Sequence, residues 1–220
     1  MNNLKAVIFD LDNTLLDRTK TFYNFTISFV EQYFPHVRAP RSIIDRIVEL
    51  DQDGYKDKHE LFVELMEELP WAERPELDEL IAYYSTHYVR NACLMEYAIE
   101  MIQYIRGSYK VGLITNGRSL IQYGKIDQLG IRNHFDLILV SEEVGIKKPH
   151  RSIFEMALER LDLPADQCVY IGDHPLNDIQ GAGAVGMNTI WVEANQPWNE
   201  EVNVVPNYRI ACLRDLANIL

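Results

Sequence analysis

Cysteine is scarce in this chain. Only Cys93, Cys168 and Cys212 occur among 220 residues, far apart and with no CxxC pair. An odd, scattered set argues against a disulfide framework and a zinc site, and each thiol reads as a small buried apolar group. Long apolar runs are missing as well, and no segment approaches the ~20 residues that cross a bilayer. The opening MNNLKAVIFDLDNTLLD lacks the apolar core of a secretory leader. A cytoplasmic protein with no membrane partner is therefore the expectation, and the Asn24-Phe25-Thr26 sequon reads as accidental. Positive charge is in deficit too. The 21 lysines and arginines face 33 acids, for a formal net charge of −12. That balance argues against a nucleic-acid backbone as partner, but it leaves room for a small anion in a local positive pocket.

What is present suits a soluble α/β protein. The length allows one sizeable core, or a core with a small second domain. Hydrophobic residues make up 47% and charged residues 25%, both ordinary for a globular chain. Residues 4–9 form a short apolar run that ends abruptly in acid, the pattern of a buried strand. The period then turns helical: Phe22, Phe25, Phe29, Val30 and Tyr33 share one helix face, and Pro35 ends it. Further helices are expected over 42–50, 58–69 and 75–88, punctuated by Pro40, Gly54, Pro70 and Pro75. From about residue 95 strands and helices alternate. Strands are expected at 109–114, 135–140, 168–171 and 189–192, the last clear one. Helices are expected to end near Gly107 and to span 119–129, 150–161 and 177–185. Such alternation implies a parallel sheet with right-handed crossovers. The expected organisation is a discontinuous α/β core, 1–17 and 90–220, interrupted by an all-helical insert at 18–89. No internal repeat or low-complexity tract is visible.

Parallel sheets gather ligands outside the carboxyl ends of their strands. The polar residues following each strand should therefore converge. After the first strand come Asp10-Leu11-Asp12-Asn13-Thr14. Two carboxylates two apart can divide the work of phosphoryl transfer, one attacking phosphorus and the other moving a proton. In isolation the same residues suit a solvated turn or a helix cap. After the second come Thr115-Asn116-Gly117, which can hold phosphate oxygens together with helix N-terminal amides, or can simply cap the next helix. Gly145-Ile146-Lys147-Lys148-Pro149 offers a cation, with Lys147 and Lys148 equivalent on spacing alone. Gly172-Asp173-His174-Pro175-Leu176-Asn177-Asp178 adds acids suited to Mg²⁺, or a capped helix start. His174 has no ligand partner at helical spacing and is read as a neighbour of the site rather than a metal ligand. It is the coincidence of all four at strand ends that points to a catalytic site.

These four motifs, in this order and spacing, resemble those of the haloacid dehalogenase-like hydrolases over essentially the whole chain. The run 7–15 is similar to the family's DxDxT motif, Thr115 to its second, Lys148 before Pro149 to its third, and Asp173 with Asp178 to its GDxxxxD fourth. The resemblance implies a Rossmann-like core with an inserted helical cap that closes over substrate. It implies a Mg²⁺-dependent phosphatase acting on a small phosphorylated metabolite, a nucleotide or a sugar phosphate. Asp10 would be nucleophile and metal ligand. Asp12 would be general acid/base and would reach the metal through its backbone carbonyl. Thr115, Asn116 and Lys148 would bind phosphate, and Asp173 and Asp178 would serve the metal, the latter directly or through water. Asn13 departs from the pattern, which usually has glycine there.

A phosphomutase or a 2-haloacid dehalogenase could use the same scaffold, and a non-catalytic phosphate-binding protein is the alternative of another class. Asp12 and the metal-type acids favour phosphate chemistry over dehalogenation. The run Gly181-Ala-Gly-Ala-Val-Gly186 fits GxGxxG, but it lies at the end of an expected helix rather than between a strand and a helix, so it does not signal a dinucleotide site. The aromatic residues Phe22, Phe25, Phe29, Tyr33, Tyr83, Tyr84 and Tyr88 could stack on a substrate, though their helical spacing suits a core. Arg18 and Lys20 could meet substrate at the entry to the insert. Oligomeric state leaves no mark in the sequence.

Overall fold

A computed structural model describes residues 3–220. The chain divides into two compact units, Met1–Asp17 with Leu94–Leu220, and Arg18–Cys93.

The first unit is built on one parallel sheet. Its strands are β1 (Ala6–Phe9), β2 (Lys110–Thr115), β3 (Leu137–Val140), β4 (Cys168–Gly172), β5 (Asn188–Val192) and β6 (Tyr208–Ile210), in the order β3-β2-β1-β4-β5-β6. All four residues of β1 are buried, as are all five of β4, because helices cover both faces of a parallel sheet. Phe9 pairs with Leu113 on one side and Ile171 on the other, so β1, β2 and β4 end close together. The chain winds outward from β1 through β2 to β3, then returns to β4 and winds the other way. The reversal falls between β1 and β4, and crevices at such switch points hold ligands.

All five expected strands lie where the apolar runs place them, with ends moved by one or two residues. Several other elements differ. β6 was not anticipated: three residues among prolines and asparagines carry no readable period, and the strand exists because Tyr208 pairs with Ile190 of β5. A four-residue helix, Ser141–Val144, was too short to read. The helix expected at 177–185 begins earlier as a wide π-type turn, Pro175–Gln180, and continues as Gly181–Gly183. There the amides of Asp178 and Ile179 both donate to the carbonyl of His174. The glycines of the GxGxxG run serve packing: a Cβ on Gly181 would lie 2.6 Å from the Phe154 ring.

The second unit holds only helices: α1 (Arg18–Tyr33), α2 (Arg41–Asp51), α3 (Lys58–Glu68) and α4 (Leu77–Arg90), with a short turn at Gln52–Gly54. Its core is aromatic. Phe22, Phe25 and Phe29 of α1 and Tyr84 and Tyr88 of α4 are buried. Phe25 meets Tyr84 edge-on at 5.3 Å between centroids, the offset that ring quadrupoles favour. Arg18 is also buried, with Nη2 2.7 Å from Asp51 Oδ2 and Nη1 3.2 Å from Asp53 Oδ1. Gly54 makes room for it. At φ +91° the glycine takes a conformation that side chains avoid, and a Cβ there would lie 2.5 Å from the guanidinium.

Candidate active site

The acids sit at the switch point because β1 and β4 stop together. Asp10 follows β1 directly, and its amide donates to Ile171 O at 2.9 Å. Asp173 follows β4. The wide turn at Pro175–Gln180 brings Asp178 back toward them, with its Oδ2 accepting from the His174 amide at 2.9 Å. Gly172 has to be small for this to happen, since a Cβ there would meet the Asp178 carboxylate at 2.5 Å. One ligand oxygen from each of Asp10, Asp173 and Asp178 lies within 4.8 Å of the others, and all three residues are buried.

Lys148 reaches into this group. Its Nζ lies 2.6 Å from Asp10 Oδ1 and 2.7 Å from Asp178 Oδ1, and it donates to Tyr170 Oη at 3.0 Å. Lys147, equivalent on spacing, is not part of these contacts. Tyr170 in turn donates to Ile114 O at 3.0 Å. Burial alone would lower the lysine pKa, but the Asp10 and Asp178 carboxylates outweigh it and hold the ammonium well above its ordinary range.

Electrostatically the acids are under-compensated. Burial pushes Asp10 up to about 7, against the pull of Lys148 and with the repulsion of Asp178 added. Burial and then the charges of Asp178 and Asp10 push Asp173 up to about 9. Three buried carboxylates share one lysine, and a divalent cation would supply the missing charge. An oxygen-only donor set fits a hard ion such as Mg²⁺. His174 accepts from the amides of Leu176 and Asn177 at 3.2 Å through Nδ1, which makes it a cap for the following turn.

The second carboxylate, Asp12, is held from another direction. Lys125 Nζ lies 2.6 and 2.7 Å from its two oxygens, and Gln122 Nε2 donates to Oδ2 at 2.9 Å. The Gln122 amide also donates to Thr115 Oγ1. Gln122 and Lys125 are buried on the helix Ser119–Gln128. Asn116 is spent locally: its Nδ2 donates to Lys148 O at 3.0 Å, and its Oδ1 accepts from the Lys148 amide at 2.9 Å. That reciprocal pair fixes the loop carrying Lys148.

The structure thus brings Asp10, Asp12, Thr115, Asn116, Lys148, Asp173 and Asp178 to the carboxyl end of one sheet. Sequence reasoning missed Gln122, Lys125 and Tyr170. Tyr170 lies inside an apolar strand and reads as core. Gln122 and Lys125, three apart, were legible only as polar residues on a face that the helix must bury.

A parallel α/β protein with a cluster of buried aspartates at the carboxyl end of its sheet is the class that this fold and site define. A family model, haloacid dehalogenase-like hydrolase, matches residues 7–192, and the chain belongs to that family. The chain is similar to the glyceraldehyde 3-phosphate phosphatase of Methanocaldococcus jannaschii, 29% identical with 99% of this chain and 97% of that protein covered. It is 36% identical to the pyrimidine 5'-nucleotidase YjjG of Escherichia coli, over 56% of this chain and 55% of that protein. In fold it is similar to the magnesium-bound HAD-hydrolase YfnB of Bacillus subtilis, with a TM-score of 0.81, 23% identity and 99% of each chain covered.

Proposed function

We propose that this protein is a Mg²⁺-dependent phosphatase that hydrolyses a small phosphomonoester through an aspartyl-phosphate on Asp10. The observation that carries this reading is the buried carboxylate trio of Asp10, Asp173 and Asp178 at the switch point, with Lys148 between two of them and a second carboxylate, Asp12, close in sequence. Two relatives whose names describe phosphomonoester substrates support it.

Asp10, Asp173 and Asp178 would hold the metal, Asp178 directly or through water, with the Asp12 backbone carbonyl. When bound, the ion neutralises phosphate charge that would otherwise repel Asp10. An Asp10 carboxylate oxygen attacks phosphorus and the ester P–O bond breaks. The Asp12 carboxyl gives its proton to the departing oxygen. Water then attacks the phosphorus of the aspartyl-phosphate, Asp12 takes a proton from it, and the bond to Asp10 breaks to release inorganic phosphate. Thr115 and Lys148 hold the phosphoryl oxygens, and Asn116 keeps the Lys148 loop in place. The helical unit is assigned the role of cap, which selects the substrate, a nucleotide or a sugar phosphate. A cytoplasmic location belongs to the same reading.

The test is phosphate release from a panel of nucleotides, sugar phosphates and an aryl phosphate, with Mg²⁺ and with EDTA. Metal-dependent release is the expected result. A folded protein that frees no phosphate from any member would overturn it. Isomerised sugar phosphate would then identify a mutase, and chloride freed from a 2-chloroacid a dehalogenase.

A further inference from the structure

We propose that Lys125, with Gln122, is a positioning pair that aims the Asp12 carboxylate for proton transfer and ties it to the phosphate-binding Thr115. The inference rests on the phosphatase reading above.

Lys125 is a buried cation that the mechanism above does not use. Its side chain is 2% exposed, while that of Asp12 is 24% exposed. The ammonium is therefore sealed against the protein interior, and the carboxylate it holds lies at the more open side. A buried ion pair of this kind contributes little to stability, because desolvation offsets the attraction, and apolar replacements are often neutral or better. Stability alone thus gives no reason for a lysine here.

Geometry gives one. Nζ lies 2.6 and 2.7 Å from the two Asp12 oxygens, so the lysine grips both. An ammonium offers three donors on a rotatable bond, and it can follow a carboxylate that turns between giving a proton and taking one. Gln122 sits one helical turn earlier on the same face. It donates at 2.9 Å to Asp12 Oδ2 and also to Thr115 Oγ1. One helix face therefore links the proton-transfer group of the first loop to the hydroxyl of the second. Proton transfer tolerates little misplacement, since donor and acceptor must come within about 3 Å. Lys148 is not placed for this work, because its ammonium lies against Asp10 and Asp178.

The test separates a positioning role from a merely structural one by leaving group. An alkyl phosphate needs its departing oxygen protonated, whereas p-nitrophenyl phosphate departs readily without help. In Lys125→Met, kcat/KM for the alkyl ester is expected to fall ~10²-fold, the lower end of what proton transfer contributes. For the aryl ester it should stay within about threefold of wild type. Gln122→Leu should skew the ratio in the same direction by less, and Lys125→Arg should bring it back toward wild type. On an Asp12→Ala background, Lys125→Met should add no further skew, because the group it positions is gone.

Equal losses on both esters in Lys125→Met and Gln122→Leu, or no loss in either, would overturn the proposal. If Lys125→Met fails to fold, the ratio of Gln122→Leu decides: a larger loss on the alkyl ester supports the proposal, and equal losses or none overturn it. Wild-type protein inactive on both esters would refute the phosphatase reading itself. Wild-type activity with unskewed variants would refute the positioning role alone.

Discussion

Asp10 combines the features a nucleophile needs with those a metal ligand needs, and they pull against each other. Its carboxylate is buried and crowded by Asp178, yet one oxygen already pairs with Lys148 at 2.6 Å. Asp10→Asn keeps the shape and removes the attacking charge. Turnover should fall on the order of 10⁵-fold or more, as when other covalent nucleophiles are removed, while circular dichroism stays near wild type. Residual activity well above that level would show that another group attacks phosphorus. Asp12→Ala should cost ~10²–10⁴-fold in kcat, the usual share of general acid/base catalysis. Steady-state rates on an alkyl phosphate check this, and a wild-type rate would assign the proton transfer elsewhere.

At the scale of elements, the helical unit has a core of packed rings. Phe25 is 1% exposed and touches Phe22, Phe29, Tyr83, Tyr84 and Tyr88. Phe25→Ala should cost about 3–5 kcal/mol, the transfer loss plus the cavity left behind. The urea midpoint should drop with little change in slope. A loss below about 1 kcal/mol would mean that the neighbouring rings close the gap. Five of the seven aromatic residues that the sequence offered as possible stackers, Phe22, Phe25, Phe29, Tyr84 and Tyr88, are buried in this core. Arg18, offered as a possible substrate contact, is bound to Asp51 and Asp53 within the same unit. Helical period correctly placed the rings on shared faces, but no period reveals a buried cation, because its partners lie more than thirty residues away.

For the whole molecule, the buried acids should make stability depend on pH, and the proposed metal site should make it depend on Mg²⁺. Burial pushes Asp10 up to about 7 and Asp173 up to about 9, from the ordinary 3.8. Between about pH 4 and about pH 9 the native state therefore holds more protons than the unfolded state, and stability falls as pH rises. In EDTA, the thermal midpoint should decline across that range, and Asp10→Asn should flatten the decline. Magnesium at saturating concentration should raise the midpoint by binding only the native state. Asp173→Asn should remove most of that rise. A midpoint indifferent to Mg²⁺ in the wild type would mean that the three acids do not hold the ion.

Apolar runs and their periods determined the parallel α/β core and the helical insert from sequence alone, because burial on two sheet faces or one helix face leaves a local trace. Readable strand ends likewise marked Asp10, Asp12, Thr115, Asn116, Asp173 and Asp178, and the motif resemblance singled out Lys148 from Lys147. Tertiary structure alone decided that Lys148 also meets Asp178 and Tyr170, and that Asn116 is spent on the Lys148 loop. It alone decided that β6 exists at all. It also brought Gln122 and Lys125 to Asp12 across more than a hundred residues. These are matters of distance between segments that share no local pattern, such as the bonds that Gln122 and Lys125 of the helix Ser119–Gln128 make to Asp12 and Thr115.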